Sequence, residues 1–226
     1  MALYTISDLH LSFSVDKPMN IFKGWENHTE KIAARWNRLV TNEDTVVLPG
    51  DFSWALKLED TLQDFKFLNN LNGKKIILKG NHDLWWQTKK KTEEFLTQNC
   101  IDTVKILFNN AYSVEEFAVC GTRGWFYDGK ETDKKVLSRE VGRLKMSLDS
   151  AKKIGGTPAV FLHYPPVYGE FVCQEIISLL KEYDIKKVYH GHIHGSGFNN
   201  AKNEFDGIDF KLVSCDCVDF TPVKVT

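Results

Sequence analysis

Ala2-Leu3-Tyr4-Thr5-Ile6-Ser7-Asp8-Leu9-His10 opens the chain with a short apolar run that ends on two metal-ligand residue types. The same order, apolar run and then ligand-type residues, recurs four times. Thr45–Leu48 precedes Gly50-Asp51, and residues 75–78 precede Gly80-Asn81-His82-Asp83. Residues 159–162 precede His163, and residues 187–189 lead to Gly191-His192-Ile193-His194. Short runs rich in Ile, Val and Leu, bounded by Gly or polar residues, read as buried strands.

Helical patterns separate the first three runs, and alternating strand and helix implies a parallel sheet with right-handed crossovers. Ligands bind beyond the carboxyl ends of the strands in such sheets, and all five clusters lie there. The helix over residues 28–40 starts at a capping box, Asn27 with Glu30, and carries Ile32, Ala33, Trp36, Leu39 and Val40 at helical spacing. Leu58, Leu62, Phe65 and Leu68 mark a second helix, and Phe95 and Leu96 a third. Val136, Val141, Leu144, Leu148 and Ala151 mark a fourth, and Ile176, Ile177, Leu179 and Leu180 a fifth.

A second, partly antiparallel sheet is expected from the paired runs Tyr112–Val114 and 117–120 around Glu115-Glu116. The Asp206-Gly207 turn between 203–205 and 208–213, with a last strand in 218–225, extends it. The fold class is therefore α/β with two sheets facing each other and helices outside. With no repeat, low-complexity tract or linker, residues 1–226 read as a single domain.

Twenty-nine Lys and Arg against 30 Asp and Glu give a net charge of -1, which argues against a polyanion such as duplex DNA as partner. The first six residues are already strand-like, and no run approaches the length of a membrane span, so a soluble, cytoplasmic protein is expected. The five cysteines, Cys100, Cys120, Cys173, Cys215 and Cys217, lack a Cys-x-x-Cys spacing and fit reduced thiols. Cys215-Asp216-Cys217 reads as a pair of buried structural cysteines rather than a metal site.

Asp8, His10, Asp51, Asn81, His163, His192 and His194 together supply four imidazoles, two carboxylates and an amide oxygen. In extended chain, residues i and i+2 share a side, so Asp8 can converge with His10 and His192 with His194, while Leu9 and Ile193 turn to apolar packing. Gly50, Gly80 and Gly191 each precede a ligand and allow a tight turn. If Asp51 bridges, each of two metals receives four protein ligands, and the mixed N/O set suits Mn, Fe, Co or Zn better than Mg, with Mn expected first and Fe or Zn as alternatives. Five of the chain's seven histidines fall in these clusters, which folding needs do not explain.

The blocks Asp8-Leu9-His10, Gly50-Asp51, Gly80-Asn81-His82-Asp83, His163 and Gly191-His192-Ile193-His194 resemble those of the calcineurin-like metallophosphoesterase superfamily. The resemblance spans essentially the whole chain. It implies a four-layer α/β/β/α sandwich with two facing mixed β-sheets and two metal ions. Asp8, His10, Asp51 and His194 would hold the first ion, and Asp51, Asn81, His163 and His192 the second. The activity implied is hydrolysis of a phosphoester by a water that the two metals activate. The protein Ser/Thr phosphatases of the superfamily have an acidic residue and Arg after Gly-Asp, and a Glu-Arg ending in the third block. Here those positions read Phe52-Ser53-Trp54 and Asp83-Leu84, so the chain is closer to bacterial predicted phosphohydrolases.

The resemblance also makes His82 the group that protonates the leaving oxygen, with Asp83 placed to orient its ring. Arg123 offers a planar fork to the substrate phosphate, with an ordinary loop arginine as its alternative. His28 is expected at a helix cap or over the site, and His190 in the core or supporting the ligands. Trp54, Trp85, Trp86 and Trp125 could wall the site, though core packing accounts for at least half of them. The loops 12–27, Trp85-Trp86 and 123–127 would then set selectivity. A small phosphoester is the expected partner, with diesters ahead of monoesters. The competing readings are a nuclease of the same superfamily and a non-catalytic binding scaffold on this fold.

Overall fold

The computed structural model describes residues 1–125 and 131–226. In chain order it runs β1 (Leu3–Thr5), α1 (His28–Leu39), β2 (Thr45–Leu48), α2 (Leu62–Asn70), β3 (Lys74–Ile77), α3 (Lys89–Gln98) and β4 (Val104–Ile106). Next come β5 (Tyr112–Val114), β6 (Phe117–Thr122), α4 (Glu131–Ile154), β7 (Thr157–Leu162), β8 (Val167–Tyr168), β9 (Phe171–Val172) and α5 (Gln174–Glu182). The chain ends with β10 (Lys187–His190), β11 (Glu204–Phe205), β12 (Ile208–Leu212) and β13 (Val223–Lys224).

Two large mixed sheets form, in the orders β13-β1-β2-β3-β4 and β11-β12-β10-β7-β6-β5. β1 to β4 are parallel and β13 closes that sheet antiparallel; β6, β7, β10 and β12 are parallel between antiparallel β5 and β11. The apolar residues sort by strand parity. Val46 and Leu48 join the core under α1 and α2, whereas Val47 between them faces the other sheet. Val160 and Leu162 pack beneath α4 and α5, and Phe161 between them meets the intersheet layer with Leu3, Ile76 and Tyr189. Strands buried on both faces need continuous apolar runs, and those were the runs visible in the sequence. Each fully buried Ile, Leu or Val there contributes about 1.5 to 3 kcal/mol over exposure. The result is the expected α/β/β/α sandwich.

Several local expectations need correction. The capping box is absent: Asn27 sits in the left-handed region (φ 52°) and its side chain makes no cap bond, while Glu30 instead accepts from the Thr29 hydroxyl at 2.9 Å. Residues 58–61 precede α2 as turn and 3₁₀ backbone rather than helix. On α4 the fully buried stripe is Leu137, Glu140, Leu144, Ser147, Leu148 and Ala151, with Val141 only half-buried. The last strand shrinks to β13, since residues 218–220 turn at left-handed Asp219 and Phe220. Strand β4 and the β8–β9 hairpin had too few residues to show a period. All five cysteines are free, and Cys217 is exposed rather than buried.

Candidate metal centre

All five clusters follow strand ends on one edge of the sandwich, after β1, β2, β3, β7 and β10. The ladders stop there and the backbone becomes irregular. Asp8 (φ 61°), His10 (φ 49°), Asp51 (φ 50°) and His192 (φ 74°) are left-handed, so the convergence of Asp8 with His10 does not come from strand alternation. Backbone bonds between loops hold the shape instead: Asp8 N donates to Gly50 O (3.0 Å) and His10 N to Asp51 O (3.0 Å). Leu9 is fully buried, as expected for the residue turned away.

The three glycines act in two ways. Gly50 has φ +92°, a conformation that a side chain strains. At Gly80 a Cβ would collide with the Asp51 carboxylate and backbone N, and at Gly191 with Ser7 Oγ and Asp8 Oδ2. Those two positions are set by close approach rather than by a turn.

Two groups of ligand-type atoms result, Asp8 with His10 and His194, and Asp51 with His163 and His192, each with its atoms within 4.8 Å of one another. Asp51 lies between them, its Oδ2 at 3.9 Å from His10 Nε2 and 3.5 Å from His163 Nε2. The Asn81 amide oxygen stands 2.6 Å from His163 Nε2 and 2.8 Å from His192 Nδ1. All seven residues expected to ligate metal are thus brought together.

The donor set fits cations. His163 Nδ1 donates to Pro49 O (2.9 Å), a group that only accepts, so the proton of the neutral ring is on Nδ1. Its Nε2 then turns a lone pair toward Asn81 Oδ1, another acceptor, and a positive ion reconciles two such atoms. Burial holds His10, His163 and His192 down at about 3, 4 and 3, so their rings are neutral and able to ligate. Burial pushes the Asp51 carboxyl well up, and the neighbouring Asp8 and Asp83 carboxylates push it further. Burial opposes ionisation of Asp8 too, but the His194 hydrogen bond and the surrounding histidines outweigh it and hold the group low.

Asp83 does not orient His82. Its two oxygens accept from Asp51 N (2.9 Å), Phe52 N (2.9 Å), Gly80 N (2.7 Å) and Trp85 Nε1 (3.1 Å), which pins the Asp51 loop against the Gly80 loop. The His82 ring instead lies 4.3 Å from the Trp54 ring, which stacks on His10 at 4.8 Å. Burial lowers the His82 pKa, leaving the half-buried ring beside the two groups.

Asp216, which sequence reading passed over inside Cys215-Asp216-Cys217, accepts from His194 Nδ1 at 2.8 Å and from Gly195 N at 3.0 Å. That bond aims His194 Nε2 at Asp8 Oδ1, 3.4 Å away. Burial acts against protonation of His194, but the bonds to Asp216 and Asp8 prevail and raise it to about 10, so a cation that His194 ligates has to displace the Nε2 proton. The signal available in the sequence was a carboxylate just after β12, on the same sheet edge as the ligands. Asp216→Asn is expected to weaken metal binding by roughly 10- to 100-fold while leaving the thermal midpoint within a few degrees. Chelator competition measures it, and unchanged affinity would reduce Asp216 to a loop contact.

Arg123 is not on the cavity that these residues line. Its backbone O accepts from His163 N (3.1 Å) and Tyr164 N (2.8 Å), but its guanidinium meets buried Glu140 at 3.4 Å and lies over the Trp125 ring. Arg143 reaches the same Glu140 oxygen at 2.5 Å. Tyr127, the end of the expected selectivity loop, lies outside the described residues. His28 is largely buried at the start of α1, its ring 5.5 Å from Trp25, and His190 is buried as expected. Of the four tryptophans named, Trp54 lines the cavity; Trp85 is core, and Trp25 was overlooked as a second wall.

The family model for calcineurin-like phosphoesterase matches residues 1–196. A comparison with curated proteins finds no match. Among solved structures, a protein of unknown function from Aquifex aeolicus aligns at 18% identity over 99% of this chain and 95% of its own, with a TM-score of 0.50. The phosphopantetheinyl hydrolase of Mycobacterium tuberculosis aligns at 16% over 94% and 88%, with a TM-score of 0.54. The protein TT1561 of Thermus thermophilus aligns at 12% over 99% and 97%, with a TM-score of 0.62. At these identities the structures speak for the fold.

Proposed function

Because the chain belongs to the calcineurin-like phosphoesterase family, a metal-dependent family of phosphoester hydrolases, we propose that it hydrolyses small phosphoesters at a dinuclear metal centre. The observation that supports this most directly is the pair of ligand groups with the Asp51 carboxylate between them. Asp8, His10, Asp51 and His194 would hold one ion, and Asp51, Asn81, His163 and His192 the other. Mn is taken first for both, with Fe or Zn as alternatives, and a donor set that mixes nitrogen and oxygen accepts each of them.

When bound, two such cations activate water and offset charge on the phosphoryl oxygens. The protein residues do the rest. Asp83 and Asp216 fix Asp51 and His194 in place through the bonds described above. His82, packed on Trp54, gives a proton to the leaving oxygen from its imidazolium form, and burial, which lowers its pKa, makes that form the stronger acid. The chain supplies no nucleophile of its own in this scheme.

Diesters are placed ahead of monoesters, because the cavity wall is aromatic and Lys23 is the one Lys or Arg lining it among the described residues. Arg123 stays a candidate for a terminal phosphate, which requires its guanidinium to leave Glu140. Rates on matched aryl monoesters and diesters in Mn, for the wild type and Arg123→Ala, test the choice. A diester preference that Arg123→Ala leaves within about threefold is expected. A monoester preference that collapses in Arg123→Ala would reverse it, and no turnover of either would reject the phosphoesterase reading. A single domain over 1–226 and a cytoplasmic location belong to the same proposal. Among the described residues no helix is long and apolar enough to cross a membrane.

A further inference from the structure

The cavity beside the metal-ligand groups, about 420 Å³, is walled on its other side by Met19, Phe22, Trp25 and Trp54, with Lys23 at the same wall. That volume falls among ordinary small-ligand pockets of about 300 to 1,000 Å³. The wall offers little to a polar group. Met19 and Phe22 have no side-chain donor, the Trp54 N–H is already given to Met19 Sδ at 3.3 Å, and the remaining indole, Trp25, is only 4% exposed. The Trp54 ring packs against His10 and His82. A hydrocarbon chain pressed on such a wall leaves no hydrogen bond to water unreplaced.

The apolar character continues outside. Phe22 is 51% exposed and its neighbour Ile21 73%, both on the 12–27 loop. Leu84, 60% exposed, stands two residues beyond His82, and Leu56, 65% exposed, two beyond Trp54. Single exposed apolar residues are ordinary, but these sit on the segments that carry the cavity wall.

Resting on the phosphoesterase reading, we infer that the group esterified to the phosphate is a hydrocarbon chain, lying along Met19 and Phe22 toward Ile21. Lys23 then stands where it pairs with a phosphoryl oxygen or a second anionic group on the same molecule. The substrate class is an amphipathic alkyl phosphoester, and the polar end is the one held at the metals.

Calorimetric titration of the Mn-loaded protein with methyl-, butyl- and octylphosphonate, all below micelle formation, tests this without requiring turnover. Octylphosphonate is expected to bind at least about 30-fold tighter than methylphosphonate, because each buried methylene adds to affinity. Phe22→Ser, at a half-exposed position, is expected to bring that ratio below about fivefold. Equal affinity along the series overturns the inference, and so does a steep series that Phe22→Ser does not flatten. Hydrolysis of phosphoesters assayed in parallel separates the two claims. A flat series in an active enzyme removes the alkyl chain and keeps the phosphoesterase. A steep, Phe22-dependent series in a protein that turns over no phosphoester keeps the binding site and removes the reaction.

Discussion

Asp51→Asn is expected to lower turnover by roughly 10³-fold or more and to weaken both metals together. Asp51 is nearly fully buried, and its Oδ2 is within 4 Å of imidazoles from both ligand groups. Asn has the same shape, so the Asp83 bonds to the backbone of residues 51 and 52 survive and the sandwich should stay folded. What would be lost is the negative charge that the proposed centre shares between its two ions. His10→Ala, by contrast, removes a ligand from the Asp8 and His194 group alone and should empty mainly that position. Elemental analysis after Mn reconstitution reads both effects. The wild type should hold two ions per chain; a reproducible ratio at or below one would count against the dinuclear centre. Equal metal loss in His10→Ala and Asp51→Asn would count against a bridging Asp51.

His82→Ala should keep its metal and slow turnover by roughly 10²- to 10⁴-fold on esters with poor leaving groups, and less on activated aryl esters. The ring sits beside the ligand groups without belonging to either, and its backbone N donates to Asp51 Oδ1 at 2.8 Å, a bond that alanine retains. A leaving group that departs readily as an anion has little use for a proton, so the dependence on leaving-group pKa is the diagnostic. Loss of metal, or an equal rate loss on both ester types, would make His82 a packing residue for Trp54 and His10.

These expectations rest on features of unequal visibility in the sequence. The buried strands were legible because a parallel sheet covered on both faces needs short continuous runs of Val, Ile and Leu, as in Thr45–Leu48. The helices were legible from spacing, with Ile32 and Trp36 both fully buried on α1. Element ends were less so. Asn27 looks like a cap from its side chain, yet its backbone is left-handed, two residues after Trp25 packs onto His10 and Phe220.

Local order along the chain, then, determined which elements form, that they alternate into parallel sheets, and which residue types stand at the strand ends. Those properties depend on neighbours a few residues apart. The tertiary structure alone decided what the chain brings together over long separations. Asp216 meets His194 across 22 residues and Ser214 meets Asp8 across 206, in each case because β1, β10 and β12 end on the same edge. Arg123 is drawn, with Arg143, to the buried Glu140 carboxylate on α4, a contact between a strand end and a distant helix that no local pattern reveals. The apolar wall of Met19, Phe22, Trp25 and Trp54 likewise joins two loops whose meeting has no period to reveal it.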